Sequence, residues 1–304
     1  MFLAEPPLDA AVSASTASEA DRTRPAAEAV PSLAAAVLRG SAAELGEREL
    51  QSSLLAWFQR FGRDLPWRRT RDPYAILVSE IMLQQTQVSR VIDRYVSWLE
   101  RWPTVGSLAH ASSADVVRAW SGLGYNRRAL NLQRAARAIV ERGGFPDTVA
   151  GLLELPGVGP YTARAIACFA FGAEVTALDV NVTRVLERAF GRADVEPPTG
   201  LAWEWNQALF DLGAELCRAR VPRCLSCPLQ GGCPSAGRRF EPARRQGPFE
   251  GSRRQLRARL VRELHAGPRA VEGYAAEVVD GLLRDGLALR LPDGRLALPE
   301  ESRA

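Results

Sequence analysis

Four cysteines, Cys217, Cys224, Cys227 and Cys233, fall within seventeen residues in the pattern C-x6-C-x2-C-x5-C. Thiols so closely spaced cannot be scattered through a core, so the segment folds around whatever they share. Pro222, Pro228, Pro234 and the pair Gly231-Gly232 punctuate it, which predicts a loop wrapped on a ligand and not a helix. Three outcomes compete. Two disulfides would suit a secreted chain, and no secretory leader is recognisable. A four-cysteine zinc site usually shows two C-x2-C knuckles, and one is present. An iron–sulfur cluster takes four thiolates from a single uneven run, and the spacing favours it. A fifth cysteine, Cys168, lies in the apolar run Ala165-Ile166-Ala167-Cys168-Phe169-Ala170 and reads as core.

Composition agrees with a reducing cytoplasm and a polyanionic partner. The 304 residues can hold two ordinary domains, and 46% of them are hydrophobic, enough for a sizeable core. No apolar run approaches the ~20 residues that span a bilayer, so no membrane association is expected. The net charge of +4 decides little, but its distribution is one-sided. From Arg218 to Arg262 twelve arginines stand against two glutamates, Glu241 and Glu250. Such a block can be a solvated face; beside a folded metal loop it favours phosphate contact. All 39 basic residues are arginine. A Schiff base needs a deprotonatable amine, which arginine does not offer, so only the α-amine of Met1 remains.

Residues 1–45 are rich in Ala, Pro, Ser and Glu without periodicity and read as a disordered N-terminal extension. From Gln51 helical periods dominate: 54–58, 74–100, 112–120, 129–142, 152–153, 161–171, 182–190 and 203–217, separated by Gly/Pro breaks. No alternating strand pattern appears before residue 285, so the core is all-α. Past Pro242 two helices are predicted, at 253–265 and 270–283. The turn Pro292-Asp293-Gly294 then joins two short strands. Residues 241–304 thus read as a small C-terminal module like a winged helix, behind a core of 46–240.

Leu155-Pro156-Gly157-Val158-Gly159-Pro160-Tyr161 follows a short helix and opens another. Gly157 and Gly159 allow a tight turn and close approach of the backbone to a ligand. The new helix start presents free amides and a positive dipole end, which suit a DNA phosphate. Glu80 lies in Ile76-Leu77-Val78-Ser79-Glu80-Ile81-Met82-Leu83, on a mostly apolar helix face. A carboxylate there is either ion-paired or pushed toward its protonated form. Asp179 and Asn181 precede the helix at 182–190, and one of them is expected to cap it.

Taken together, these motifs resemble the endonuclease III superfamily of DNA glycosylases: the cysteine spacing, a helix-hairpin-helix at 155–163, and the 178–182 segment. Within it, Ser79-Glu80-Ile81-Met82-Leu83-Gln84-Gln85-Thr86-Gln87-Val88 resembles the adenine-specific mismatch (MutY) family nearly residue for residue. The resemblance covers about residues 50–235. It implies an all-α fold with a six-helix domain and a cluster domain, carrying a [4Fe-4S] cluster on Cys217, Cys224, Cys227 and Cys233. It also implies a monomer acting on double-stranded DNA with adenine opposite guanine or 8-oxoguanine.

By that resemblance Glu80 is the acid that protonates adenine, Asp179 stabilises the sugar cation with Asn181 beside it, and Tyr161 positions them. Lyases of the superfamily place a lysine at the Tyr161 position, so a monofunctional enzyme is implied. Gln84 and Gln85, with Tyr125 of Gly122-Leu123-Gly124-Tyr125, would wedge into the duplex, Thr86 would bind DNA beside them, and Gly157 and Gly159 would grip its backbone. Arg68 of Leu65-Pro66-Trp67-Arg68 and Gln207 would lie at the base pocket. Two departures stand out: Asn126 replaces a usual second tyrosine, and residues 241–304 are too short for the Nudix-like domain the family commonly carries. Rival expectations are a thymine or uracil mismatch glycosylase of the same superfamily, and a non-catalytic iron–sulfur DNA-binding regulator.

Overall fold

The helix Pro73–Leu83 (α2) runs through the first core, and every residue from Tyr74 to Met82 is buried. Asp72 caps it by accepting from the amides of Tyr74 and Ala75, and Pro73 occupies the first turn, where no amide bond is lost. The computed structural model describes residues 42–239 and 247–299. Most of the predicted N-terminal extension therefore lies outside the described residues, and Ala42–Phe61 (α1) is a helix that starts within its last four positions.

Around α2 are wrapped Val88–Arg101 (α3), Val105–Ala109 (α4), Ser113–Ala119 (α5), Arg127–Glu141 (α6), Val149–Leu153 (α7) and Pro160–Phe171 (α8). Their shared core holds Ile76, Leu77, Ile81, Leu108, Leu132 and Ile166. Trp98 packs edge-on against Trp102 and Trp120 at 4.6 and 5.4 Å. Each fully buried aliphatic side chain contributes roughly 1.5–3 kcal/mol, so this layer carries much of the stability. A second core joins α1 to Val180–Phe190 (α9) and Ala202–Glu215 (α10) through Leu54, Leu186, Trp205 and Leu209. Leu229 and three of the clustered cysteines pack against it.

A third core docks the C-terminal segment onto α5 and α6. Ala114, Val117 and Leu130 meet side chains from Arg253–Leu264 (α11), Ala276–Arg284 (α12) and the hairpin Leu289–Arg290 (β1) with Leu296–Ala297 (β2). The strands pair antiparallel, Leu289 with Ala297 and Arg290 with Leu296. Among the described residues no other strand occurs, as the sequence predicts.

Three boundaries differ from expectation. The periodicity at 74–100 is two helices, because the chain breaks at Gln84–Gln87, with Gln85 at φ 55°. The helix predicted to reach Cys217 ends at Glu215, where the Cys217 amide turns back to Leu212 O at 2.7 Å and leaves the cysteine on the loop. The helix predicted from 270 starts at Ala276, since Arg269 instead pairs with Leu296 beside the hairpin and Gly273 turns with φ 86°.

Candidate active site

Glu80 stands near the middle of α2, 4% exposed, and its Oε2 has no hydrogen-bond partner. Tyr161, the second residue of α8, hydrogen-bonds the carboxyl. Burial pushes the Glu80 acid up to about 7; the Tyr161 hydrogen bond and the charge of Arg68 restrain the rise, and the nearby Asp179 adds to it. Burial also lifts the Tyr161 phenol well above its ordinary value, with the charges of Glu80 and Asp179 acting in the same sense. Tyr161 is therefore a neutral donor at physiological pH.

Asp179 caps α9. Its Oδ1 accepts from the amides of Asn181 and Val182 at 2.8 and 2.7 Å, and its Oδ2 from Asn181 Nδ2 at 3.0 Å. Three N–H groups thus fix the carboxyl within electrostatic reach of Glu80. Asn181 Oδ1 in turn accepts from Arg184 Nη1 at 2.9 Å, and Arg184 Nε donates to Cys217 O at 2.9 Å. One turn on, Arg188 donates to the carbonyls of Arg218 and Ala219 at 2.8 and 2.7 Å. A single helix therefore runs from the pocket carboxylate to the cysteine loop.

None of the cysteines is disulfide-bonded. Cys217, Cys224, Cys227 and Cys233 line one small, open cavity. Among the described residues no three His, Cys, Asp or Glu side chains converge as ligands of a single ion. A mononuclear site needs four sulfurs about 2.3 Å from one centre. A four-iron cluster takes its thiolates on separate corners, and four thiols spread around one cavity fit that donor set. Burial pushes the Cys227 thiol up to about 11 and raises that of Cys233, with the neighbouring sulfurs adding to both. The charge of a metal would be needed to hold them as thiolates.

Behind Glu80, Arg68 is turned to Asp211 of α10. Its Nη1 and Nη2 donate to the two carboxylate oxygens at 2.9 and 2.7 Å, and Nη1 also reaches Arg63 O at 2.8 Å. Arg63 adds its own amide and Nε at 2.9 and 2.7 Å. Burial opposes charge on Asp211, but Arg68 and then Arg63 hold it below the usual carboxylate range. This leaves only Arg68 Nε, buried and without a partner, for anything in the pocket. Gln207, also buried, lies one turn before Asp211 on the same face of α10.

Gln84, Gln85 and Thr86 form the break after α2, and Tyr125 ends the turn before α6. Gln84 Nε2 reaches Thr162 Oγ1 at 3.3 Å, while Gln85 and Tyr125 are exposed. Gln85 and Tyr125 are the two non-glycine residues with positive φ among the described residues, 55° and 46°. Each costs roughly 1–3 kcal/mol and persists only where its surroundings enforce it. Between α7 and α8, Gly157 has φ 81°, and a Cβ there would meet Asn131 Cβ at 2.7 Å. Gly159 begins α8 with open space beside it, as backbone approach by a ligand requires.

Comparison with known proteins places this arrangement. Residues 78–202 match the family of HhH-GPD superfamily base excision DNA repair proteins. Over 288 residues the chain is 43% identical to an adenine DNA glycosylase of Mycobacterium tuberculosis, covering 82% of this chain and 93% of that protein. The chain belongs to the adenine DNA glycosylase family. The human relative of that name is 41% identical over 210 residues, 60% of this chain and 38% of that protein. A thermostable thymine-DNA glycosylase superposes with TM-score 0.59 at 29% identity, covering 64% of this chain and 98% of that one. A trapped endonuclease III–DNA covalent intermediate shares the fold, with TM-score 0.55 at 22% identity over 65% of this chain and 98% of that one.

For a member of this family, the residues singled out in the sequence fall into four groups. Tyr161, Asp179 and Arg68 lie within electrostatic reach of Glu80, Asn181 bonds Asp179, and Gln207 is buried on α10. Gln85 and Tyr125 are exposed on two turns whose Gln84 and Thr86 bond inward, Gly157 lies in the turn before α8 and Gly159 caps that helix, and the cysteine loop meets the C-terminal end of α9. Sequence reasoning missed Asp211, Arg128 and Arg184. An acid between Phe210 and Leu212, and an arginine in the first turn of a helix, where the dipole disfavours cations, were the available signals.

Proposed function

We propose that the chain removes adenine opposite guanine or 8-oxoguanine in duplex DNA by hydrolysing the N-glycosidic bond, without cutting the strand, and that it acts as a monomer. One observation carries the mechanism: a buried carboxyl with its acid raised to about 7 lies within electrostatic reach of a second carboxyl held by three N–H donors. Adenine leaves poorly as an anion. Glu80, protonated near neutrality, delivers its proton to a ring nitrogen of the flipped base, so the C1′–N9 bond breaks with neutral adenine departing. Asp179 opposes the positive charge that develops on the sugar, as the paired carboxylates of glycoside hydrolysis do. Water then bonds to C1′ and gives up a proton, which restores Glu80 and leaves an abasic site. Asn181 holds Asp179 in place, and Tyr161 orients Glu80 as a neutral donor.

Gln85 and Tyr125 enter the stack and offset part of the few kcal/mol that flipping costs. The amides at the start of α8 and the arginines of the cysteine loop hold phosphates without reading sequence. Cys217, Cys224, Cys227 and Cys233 would hold a [4Fe-4S] cluster, which when bound pins the cysteine loop. Among the described residues no helix is long and apolar enough to cross a membrane.

Incubation with A·G, A·8-oxoguanine, T·G and U·G duplexes tests the substrate. Free adenine from the first two is expected, with strand breaks only after alkali and little borohydride trapping, since arginine forms no imine. Release of thymine or uracil instead would overturn this assignment in favour of the thymine/uracil reading, to which the 29% identity with the thymine-DNA glycosylase lends less than the 43% identity with the mycobacterial adenine enzyme. Binding without release of any base would leave the regulator.

A further inference from the structure

Arg128 lies in the first turn of α6, the end of a helix where a cation is disfavoured, and it is buried. Its guanidinium leaves α6 and enters the gap between the two turns that carry Gln85 and Tyr125. Nη1 donates to Ile81 O and Met82 O at 2.9 and 3.0 Å and to Gln84 O. Nη2 donates to Leu123 O, Gly124 O and Thr86 Oγ1 at 3.1, 3.0 and 3.0 Å. Thr86 Oγ1 also reaches across to Leu123 O at 3.3 Å. The Tyr125 ring lies 5.6 Å from the guanidinium carbon and the Trp120 ring 5.3 Å from it.

Two of these acceptors stand out. Gln84 O and Gly124 O belong to the peptide groups immediately before Gln85 and Tyr125, the two residues with unfavourable positive φ. Fixing the preceding peptide plane fixes the frame about which φ is measured, so one guanidinium enforces both left-handed residues at once. The planar fork suits this task, because its two ends present donors in opposite directions. A lysine ammonium is a point donor and can serve one turn but not both.

We infer that Arg128 is a positioning residue for duplex opening: it locks the 84–86 and 122–125 turns into one rigid, two-pronged wedge. This inference rests on the proposed role of Gln85 and Tyr125 as wedges.

The test compares the full-length wild type with Arg128→Lys and Arg128→Met by hydrogen exchange in the free protein. It adds single-turnover excision and 2-aminopurine fluorescence, with the probe beside the adenine in an A·G duplex. Arg128→Lys should stay folded, and amide exchange should quicken in both turns together. The fluorescence rise should shrink and A·G excision should slow by about tenfold, the scale of one released strained residue. When the adenine stands opposite an abasic site, where the stack is already broken, excision should slow by less than about threefold, because there is little left to open. Arg128→Met should show the same pattern more strongly.

Faster exchange in one turn only, or equal slowing on both duplexes, would overturn the inference, since the arginine would then merely support the pocket. A wild type that leaves 2-aminopurine unchanged would instead defeat the wedge role itself and this inference with it. That outcome is distinguishable because the exchange data do not depend on DNA.

Discussion

Glu80 and Asp211 are both buried carboxylates, and both feel Arg68, yet their surroundings differ at every other point. Asp211 receives two guanidiniums and a backbone amide and is held as an anion below the usual carboxylate range. Glu80 keeps one oxygen without a partner, faces a second carboxylate, and is pushed up to about 7. The difference teaches what the pocket is for. Arg68 is spent on Asp211, so its charge reaches Glu80 already largely neutralised and Glu80 stays poised to carry a proton. A buried charge left without a partner costs stability. This fold pairs Asp211 and leaves Glu80 without an ion pair, which suits the proton-donor role proposed for it.

The largest effect that could break this comparison is on turnover. Glu80→Gln cannot deliver a proton and should lower single-turnover excision by about 10²-fold or more while duplex binding survives. Asp179→Asn retains the shape and loses the charge, and should cost about 10²-fold. Near-normal turnover in either variant, with only the folded fraction reduced, would make the carboxylate concerned structural.

At the paired acid the expected loss is one of stability. Asp211→Asn leaves Arg68 buried beside no anion and should destabilise the protein by about 3–5 kcal/mol, read from urea unfolding at neutral pH. The surviving folded enzyme should show its activity falling away at lower pH than the wild type, because the uncompensated Arg68 charge favours ionised Glu80. An unshifted profile would mean that Arg68 does not reach Glu80.

The smallest expected effect has the opposite sign. The Glu80 acid is raised in the fold, so its contribution is fully present below pH 4.5 and is lost as pH rises through about 7. Removing that burial penalty should make Glu80→Gln more stable than the wild type by up to about 3 kcal/mol at pH 9, with the advantage vanishing near pH 4. A Gln variant that is less stable at pH 9 would show that Glu80 is a satisfied structural acid.

Much of this was legible in the sequence because it rests on local chemistry. The cysteine spacing, the Leu155–Tyr161 turn and the apolar face around Glu80 each declare themselves within a dozen residues. The break after α2 was not legible: 74–100 keeps a helical period through it, and the group that bonds Gln84 O inside the break, Arg128, lies some 40 residues later in the chain. Asp211 was missed for the same reason, since its partners Arg63 and Arg68 are about 145 residues away in sequence. Arg68, expected at the flipped base, keeps only Nε available because Asp211 takes the rest, a long-range claim on the side chain that its own motif does not reveal.

The central claim is that Glu80 acts as the protonated acid, and the pH dependence of single-turnover excision at saturating enzyme tests it most directly. With an A·G duplex the rate should be on a plateau below about pH 6 and fall roughly tenfold per pH unit above about 7, following loss of the Glu80 proton. A rate that stays flat to pH 9 in the wild type would contradict the account, because no ionised carboxylate can then be the proton donor.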